Sequence, residues 1–463
     1  MFRATFRSGV CVHVCVCVLG VAACGNDDTP GGAAGGAGSP ANGGGQTVGG
    51  GGGVASGSGS GSGNAAGKSG SSATQAGQGG QAMPQGGASS AGAGSGSVAG
   101  SAGVASGGSA GATTGGASAG SGGAIAAPPS CATSGPGRTT CGANGDESCC
   151  TSPLVEGGTY SRTYTNTGSG ATGEKDSAKV SNFRLDKYEV TVGRFRAFVQ
   201  YLEGGGMPPA AGSGKHSHLN AGKGLTDSGN SGSFEPGWDA SWNSKIPAGA
   251  GAAAKWKALL NKPGSGSAGC SRYGTWTDEP GDNELLPITC TSWYESYAFC
   301  IWDDGFLPSE AEWKYATAGG DEQRAYPWGT TAPGASNEYA IYDCCYPDGK
   351  CSATSGKDTC TGVVNAAPVG FAAKGVGRYG QLDLVGNVWE WNLDRYASYV
   401  SPCDDCAYLT GNTTNRVLPG AGFHTGASLG ATLLYSYNRS QVSYNADTYR
   451  GDYAVGVRCA RPM

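Results

Sequence analysis

The sequence predicts a large, loop-rich α+β domain over residues 153–463, carried on a long flexible arm, and three observations predict it. Helices announce themselves in few places, twice by capping boxes: Ser292-Trp293-Tyr294-Glu295 and Ser309-Glu310-Ala311-Glu312. In each, the serine oxygen caps the third amide while the glutamate reaches back to the cap. Short apolar alternations suggest strands at Phe183 to Val190 and again at Ala454 to Cys459. Long Gly, Ser and Asn segments, 204–236 and 330–362, join these elements. So little regular structure in a compact domain calls for staples, and disulfides or bound cations are the usual ones.

The arm explains the composition. Of 463 residues 87 are glycine, far above the roughly 7% of ordinary globular chains, and most of the excess lies before residue 130. Residues 24–130 are nearly all Gly, Ala and Ser, with no aromatic residue, so they cannot bury enough apolar surface to offset the entropy of ordering. They read as a tether with a mean span of about 55–60 Å. Ahead of it, Arg3 and Arg7 precede the apolar run 10–23, which is too short to cross a membrane and has the charge order of a secretory signal. The run ends Val21-Ala22-Ala23-Cys24, which resembles the bacterial lipobox. That resemblance makes 1–23 a removed signal and Cys24 a lipidated N-terminus. Gly25, in place of Asp, favours the outer membrane or cell surface of a Gram-negative cell. An ordinary signal peptide cut nearby is the alternative, and either places the chain outside the cytoplasm.

Cysteine usage agrees with that address. Cys11, Cys15 and Cys17 leave with the signal and Cys24 is acylated, so four of the 18 cysteines drop out and 14 are left for disulfides. Residues 131–152 form a Cys-rich lead-in to the domain. The pair Cys403-Asp-Asp-Cys406 has zinc-ligand spacing, but no second pair with histidines accompanies it, so a local disulfide is expected there. A third helix is expected at Thr191 to Glu203, where Val192, Phe195, Phe198, Val199 and Leu202 share one face as core.

Five segments then recur in a known order: LDKYEVTVGRFRAFV at 185–199, LPITCTSWYESYAFCIW at 286–302, LPSEAEWKYATAGGDEQRAYPWG at 307–329, QLDLVGNVWEW at 381–391 and VGVRCAR at 455–461. Together they resemble the formylglycine-generating enzyme, or sulfatase-modifying factor, family. The resemblance covers 153–463 and implies an α+β fold of the C-type lectin-like kind, with internal calcium sites. It places calcium at Asp383, Gly386, Val388 and Glu390, with the glycine and valine giving backbone oxygens, as suits a hard cation. A residue-only reading has both acids capping the turn or binding Arg378 and Lys374. A second family calcium site falls in the loop after YPWG, which here carries an insertion around Cys344 to Cys360, leaving Asn337 as a candidate. The resemblance also pairs Cys300 with Cys459. A second family bridge falls on Thr317 and about Tyr435, so both of its cysteines are missing together.

The family oxidises a peptide cysteine to formylglycine with two copper(I)-binding cysteines in a segment like RGGSYxCxxSxC, and soft thiolates are what copper(I) needs. The corresponding stretch, 416–430, carries Thr425 and Gly430 at those two positions, Pro419 at the motif arginine and Gly422 at its serine. Copper is therefore not expected, and no catalytic residue is assigned. Relatives using nonheme iron need three histidines. Beyond the signal the chain has only His216, His218 and His424. No nucleophile triad, phosphate loop or basic patch appears, which excludes hydrolase, nucleotide and nucleic-acid readings. The expectation is a monomeric, lipid-anchored lipoprotein whose domain acts as a binding or structural module for a peptide or glycan, since ten tryptophans suit such surfaces. The alternative is a formylglycine-generating or nonheme iron oxidase working through an unrecognised site.

Overall fold

A computed structural model describes residues 127–261, 273–349, 360, 362–425, 430–439, 443–446, 449–450 and 454–463. The signal, Cys24 and nearly all of the tether lie outside the described residues.

The helices form where the sequence pattern is strongest. Helix α1, Val192–Glu203, is capped by the Thr191 hydroxyl and buries Phe195, Phe198, Val199 and Leu202. Helix α2, Ala252–Leu260, was not legible, because only Ala252, Trp256 and Leu260 of its small-residue run face inward. Helices α3, Trp293–Trp302, and α4, Glu310–Ala318, both carry complete capping boxes. A short helix α5 spans Gly430–Leu433. Phe195 packs on Phe198, Trp256 and Phe299 with ring centroids 5.6 to 5.7 Å apart, which joins α1, α2 and α3 in one core. Each such ring contributes roughly 1.5–3 kcal/mol of burial.

Small sheets surround that core. Strands β1, Leu154–Val155, β4, Phe183–Leu185, and β12, Ala460–Arg461, form an antiparallel sheet in the order β1-β4-β12. The longest strands, β2 at Gly158–Thr165 and β3 at Thr172–Val180, make a hairpin that β7, Cys403–Asp404, joins in parallel. Strand β5, Thr226–Asp227, pairs in parallel with β8, Cys406–Ala407, and β6, Trp389–Glu390, with β11, Val455–Gly456. Strands β9, Asn415–Val417, and β10, Ser443–Asn445, are antiparallel. The hairpin lays Tyr160 against Tyr315 of α4 in a second core, with ring centroids 5.3 Å apart.

Three expectations need refinement. The strand expected at Ala454 to Cys459 is interrupted: β11 ends at Gly456 and pairing resumes at Ala460. In the break, the Arg458 guanidinium turns inward to donate to the carbonyls of Asp186, Lys187 and Leu382 at 2.7 to 2.9 Å. Val190 lies outside β4, although its backbone still bonds Val457 and Ile288 at 2.8 Å. The Cys-rich lead-in is a folded part of the domain. Disulfides Cys131–Cys150 and Cys141–Cys149 close it, and Ser130 N donates to the Asp303 carboxylate at 2.8 Å. Gly137, at φ 68°, leaves no room for a side chain, because a Cβ there would lie 1.9 Å from the Glu284 carbonyl oxygen.

Candidate functional site

The capping glutamates do more than cap. Glu295 Oε2 accepts from Ser292 N at 2.9 Å, and both its oxygens take the Arg450 fork at 2.6 and 2.9 Å. Glu312 Oε2 accepts from Ser309 N at 2.8 Å and bonds His216 Nε2 at 3.0 Å. Glu235 holds the other nitrogen of His216 at 2.9 Å. Burial alone would lower this histidine's pKa, but the two carboxylates raise it to about 10. His216 is therefore a buried imidazolium bridging α4 to the 204–236 loop. His218 stacks on Phe306, while His424 stacks on Tyr273. Among the described residues, no three His, Cys, Asp or Glu side chains form a metal-holding group.

The segment 381–391 folds as a tight turn. Asp383 and Asn387 adopt φ 54° and 56°, and Gly386 sits between them at φ 95°. A Cβ on Gly386 would approach the Ile341 oxygen to 2.9 Å, so the backbone there requires glycine. Glu189 lies beneath, accepting from Asn387 Nδ2 at 2.7 Å and from Val388 N at 3.2 Å. Its pKa is pushed well above the carboxylate range by burial, then by Asp383 and Glu390. Asp383 is pushed up to about 6 by burial, against the 2.5 Å hydrogen bond from Gly370 N. Arg458 meets Glu390 with Nε and Nη2 at 2.9 to 3.2 Å, and Trp313 Nε1 donates to the same carboxylate at 2.7 Å. The structure thus assembles Asp383, Gly386, Val388 and Glu390 in one buried turn. It also gives Glu390 a guanidinium partner that sequence reasoning missed; Arg378 and Lys374 pair instead with Asp321 and Glu338. The carboxylates of Glu189, Asp383 and Glu390 share the field of one cation, Arg458, and each already accepts from a protein donor. Asn337 is buried too, and among the described residues its Oδ1 has no hydrogen-bond partner.

The stretch aligned with the catalytic segment runs alongside this turn. Asn392 N donates to Val417 O and Glu390 N to Pro419 O, both at 3.2 Å, while Phe423 N donates to Asn387 O at 2.7 Å. Thr425 is buried, and its hydroxyl accepts from Gly422 N at 3.0 Å. Gly422 has no space for the motif serine: a Cβ would lie 2.9 Å from the His424 ring and 3.0 Å from Trp389 Cδ1. Gly430 opens α5, and residues 426–429 between it and Thr425 lie outside the described residues.

The disulfides staple the periphery to the core. Cys300 of α3 is bonded to Cys459, with Cα atoms 5.4 Å apart and a sequence separation of 159. Cys344–Cys360 closes the insertion. Cys403 and Cys406 are bonded to each other, which occupies both sulfurs that zinc would need. At the second family bridge, Ser436 Oγ donates to Thr317 O at 2.9 Å, so a hydrogen bond joins the two places where cysteines are missing.

A loop-rich α+β domain, closed by a bridge from the central helix to the chain end and built on a GNVWEW turn, has the formylglycine-generating-enzyme fold. Residues 139–463 match the sulfatase-modifying factor enzyme 1-like domain, and the chain belongs to that family. A formylglycine-generating enzyme from Mus musculus is 32% identical over 178 residues, which is 38% of this chain and 44% of that protein. One from Thermomonospora curvata is 31% identical over 228 residues, covering 48% of this chain and 63% of the relative. The inactive C-alpha-formylglycine-generating enzyme 2 of Bos taurus is 32% identical over 147 residues, 28% of this chain and 44% of that protein. The matched stretches thus span about half the length of these relatives.

Proposed function

We propose that this protein is an extracytoplasmic lipoprotein whose formylglycine-generating-enzyme-like domain works by binding and not by copper-dependent cysteine oxidation. The observation that carries this is the stretch beside the GNVWEW turn. Thr425 offers a hydroxyl already engaged with Gly422 N, and Gly430 has no side chain. The place of the motif serine is filled by His424 and Trp389. Copper(I) needs two thiolates here, and a hydroxyl and a hydrogen do not supply them. A family relative is itself named inactive, which shows that the family has members so described. The test is incubation of the full chain, with and without copper, with a cysteine-containing sulfatase peptide. No aldehyde is expected by mass spectrometry, and aldehyde formation would reject the reading.

The disulfides suit an oxidising compartment, and the lipobox-like site makes Cys24 the anchor. Cys24→Ala is expected to release the protein from the membrane fraction; retention would remove the anchor. We also propose, from the motif residues Asp383, Gly386, Val388 and Glu390, calcium as a structural ion at this turn. Chelation should then lower the melting temperature by a few degrees, since a ligand of the native state alone stabilises it by mass action. An unchanged melting curve would leave Arg458 as the turn's only cation.

A further inference from the structure

The Cys403–Cys406 bridge stands apart from the other disulfides. The two cysteines are three residues apart, where Cys300–Cys459 spans 159. Cys406, itself buried, forms part of the wall of a cleft of about 400 Å³ between the 226–234 loop and residues 400–402. Behind it lies Arg162, nearly buried, whose Nη1 stands 4.0 Å from Cys406 Sγ. The rest of that guanidinium donates to the carbonyls of Val400 and Asp176 at 2.7 and 3.1 Å and lies over the Tyr399 ring at 4.3 Å. Among the described residues, no carboxylate pairs with Arg162. The two acids between the cysteines are engaged elsewhere. Asp405 accepts from Ser181 N and Oγ at 2.6 Å, and Asp404 faces Lys179 at 3.1 Å.

We propose that Cys403–Cys406 is an exchangeable disulfide that oxidises the dithiols of extracytoplasmic peptides. A peptide thiolate attacks Cys406 Sγ from the cleft; the Cys403–Cys406 bond breaks, and its electron pair leaves on Cys403, which takes a proton. The second peptide thiolate then attacks the peptide sulfur of the mixed disulfide. A peptide disulfide forms, and Cys406 leaves as a thiolate facing Arg162. The peptide loses two electrons and two protons, the protein disulfide gains them, and a small disulfide of the glutathione type restores the bridge. Arg162 acts as a positioning charge, because a nearby guanidinium lowers a thiol's pKa and improves it as a leaving group. Reduction leaves the loop in place, since Asp405 N donates to Lys179 O at 2.9 Å and Thr226 N to Asp405 O at 2.8 Å without the bridge.

The full chain is equilibrated in glutathione redox buffers, thiols are trapped by alkylation, and peptides are mapped. Cys403 and Cys406 are expected to become alkylated under buffers that leave Cys300–Cys459 intact, with the cooperative melting transition kept. In Cys403→Ser, the Cys406 thiolate is expected to attack a cysteine peptide supplied as its disulfide, forming a mixed disulfide and releasing one peptide thiol. Arg162→Gln should then raise the apparent pKa of that reaction by about one unit, a change a purely structural arginine would not cause. Alkylation of Cys403 and Cys406 only together with the core bridges would overturn the proposal in the wild-type chain, whatever the variants do. So would a folded Cys403→Ser protein that forms no mixed disulfide.

Discussion

The turn around Asp383–Glu390 and the stretch 417–425 are hydrogen-bonded neighbours, yet they hold together by different means. The turn is fixed by side chains: Glu390 on Arg458 and Trp313, and Glu189 under Asn387 and Val388. The stretch is fixed by its backbone and by small residues that let His424 and Trp389 fill its interior. A region whose residues are mutually required for folding keeps its motif. A region whose motif served chemistry can lose it and retain only the pairing its backbone provides. On this reading, substitutions on the turn side should cost far more stability than those in the stretch.

The largest effect belongs to the bridge that carries the turn's partner, since Cys459 is adjacent to Arg458. Removing it as Cys300→Ser with Cys459→Ser frees a loop of 159 residues, for which chain entropy gives about 5 kcal/mol. Denaturant unfolding should register most of that loss, and a change below about 1 kcal/mol would mean that packing alone holds the chain end. Next comes Arg458→Ala, which strands the buried Glu390 carboxylate and unpairs the carbonyls of Asp186, Lys187 and Leu382. Loss of one partner of a buried pair costs about 3–5 kcal/mol. A mild effect would break the contrast by showing that the turn does not depend on this ion pair.

On the other side of the contrast, Gly422→Ser restores the motif residue and should still destabilise. Its Cβ would stand 2.9 Å from His424 and 3.0 Å from Trp389, closer than such contacts occur, and overpacking of this kind costs about 1–3 kcal/mol. Adding His424→Ala should recover part of the loss. A neutral Gly422→Ser would mean that the motif pocket is still open, and would weaken the non-catalytic reading with it.

What the sequence disclosed follows the same division. Both capping boxes, α1, the Cys300–Cys459 pair and the buried turn were legible because each rests on a local pattern or on motif residues retained in the chain. The β2–β3 hairpin was missed although Tyr160, Arg162 and Tyr164 alternate inward, because an inward arginine hides the apolar period. That the lead-in packs into the domain was not legible because its contacts are long-range: Gly137 meets Glu284, and Ser130 meets Asp303. Arg458 as the partner of Glu390, and Glu312 as shared between a capping box and His216, could not be read either. Such pairs join residues 68 and 96 positions apart, and nothing local in a sequence reports them.

A pH dependence sharpens the comparison at its other boundary. Asp394, just beyond the turn, accepts from Glu310 N at 2.7 Å and Tyr408 N at 2.8 Å. Burial, then the nearby Glu310, push its pKa up to about 7, against those two hydrogen bonds and Arg439. A carboxyl raised in the folded state holds its proton more tightly there than in the unfolded chain, where it titrates near about 3.9. Its contribution is therefore fully present below that value and is lost as pH rises through about 7. Stability should fall across this window, and Asp394→Asn, which keeps one acceptor and carries no charge, should flatten the fall. Melting curves between pH 5 and 8 decide it: an equally steep profile in the variant would assign the dependence to other groups. Arg439→Gln should steepen it, because Arg439 also holds Glu310 by two hydrogen bonds of 2.7 and 2.8 Å. Without that guanidinium the Asp394 carboxyl loses the charge that opposes its upward shift.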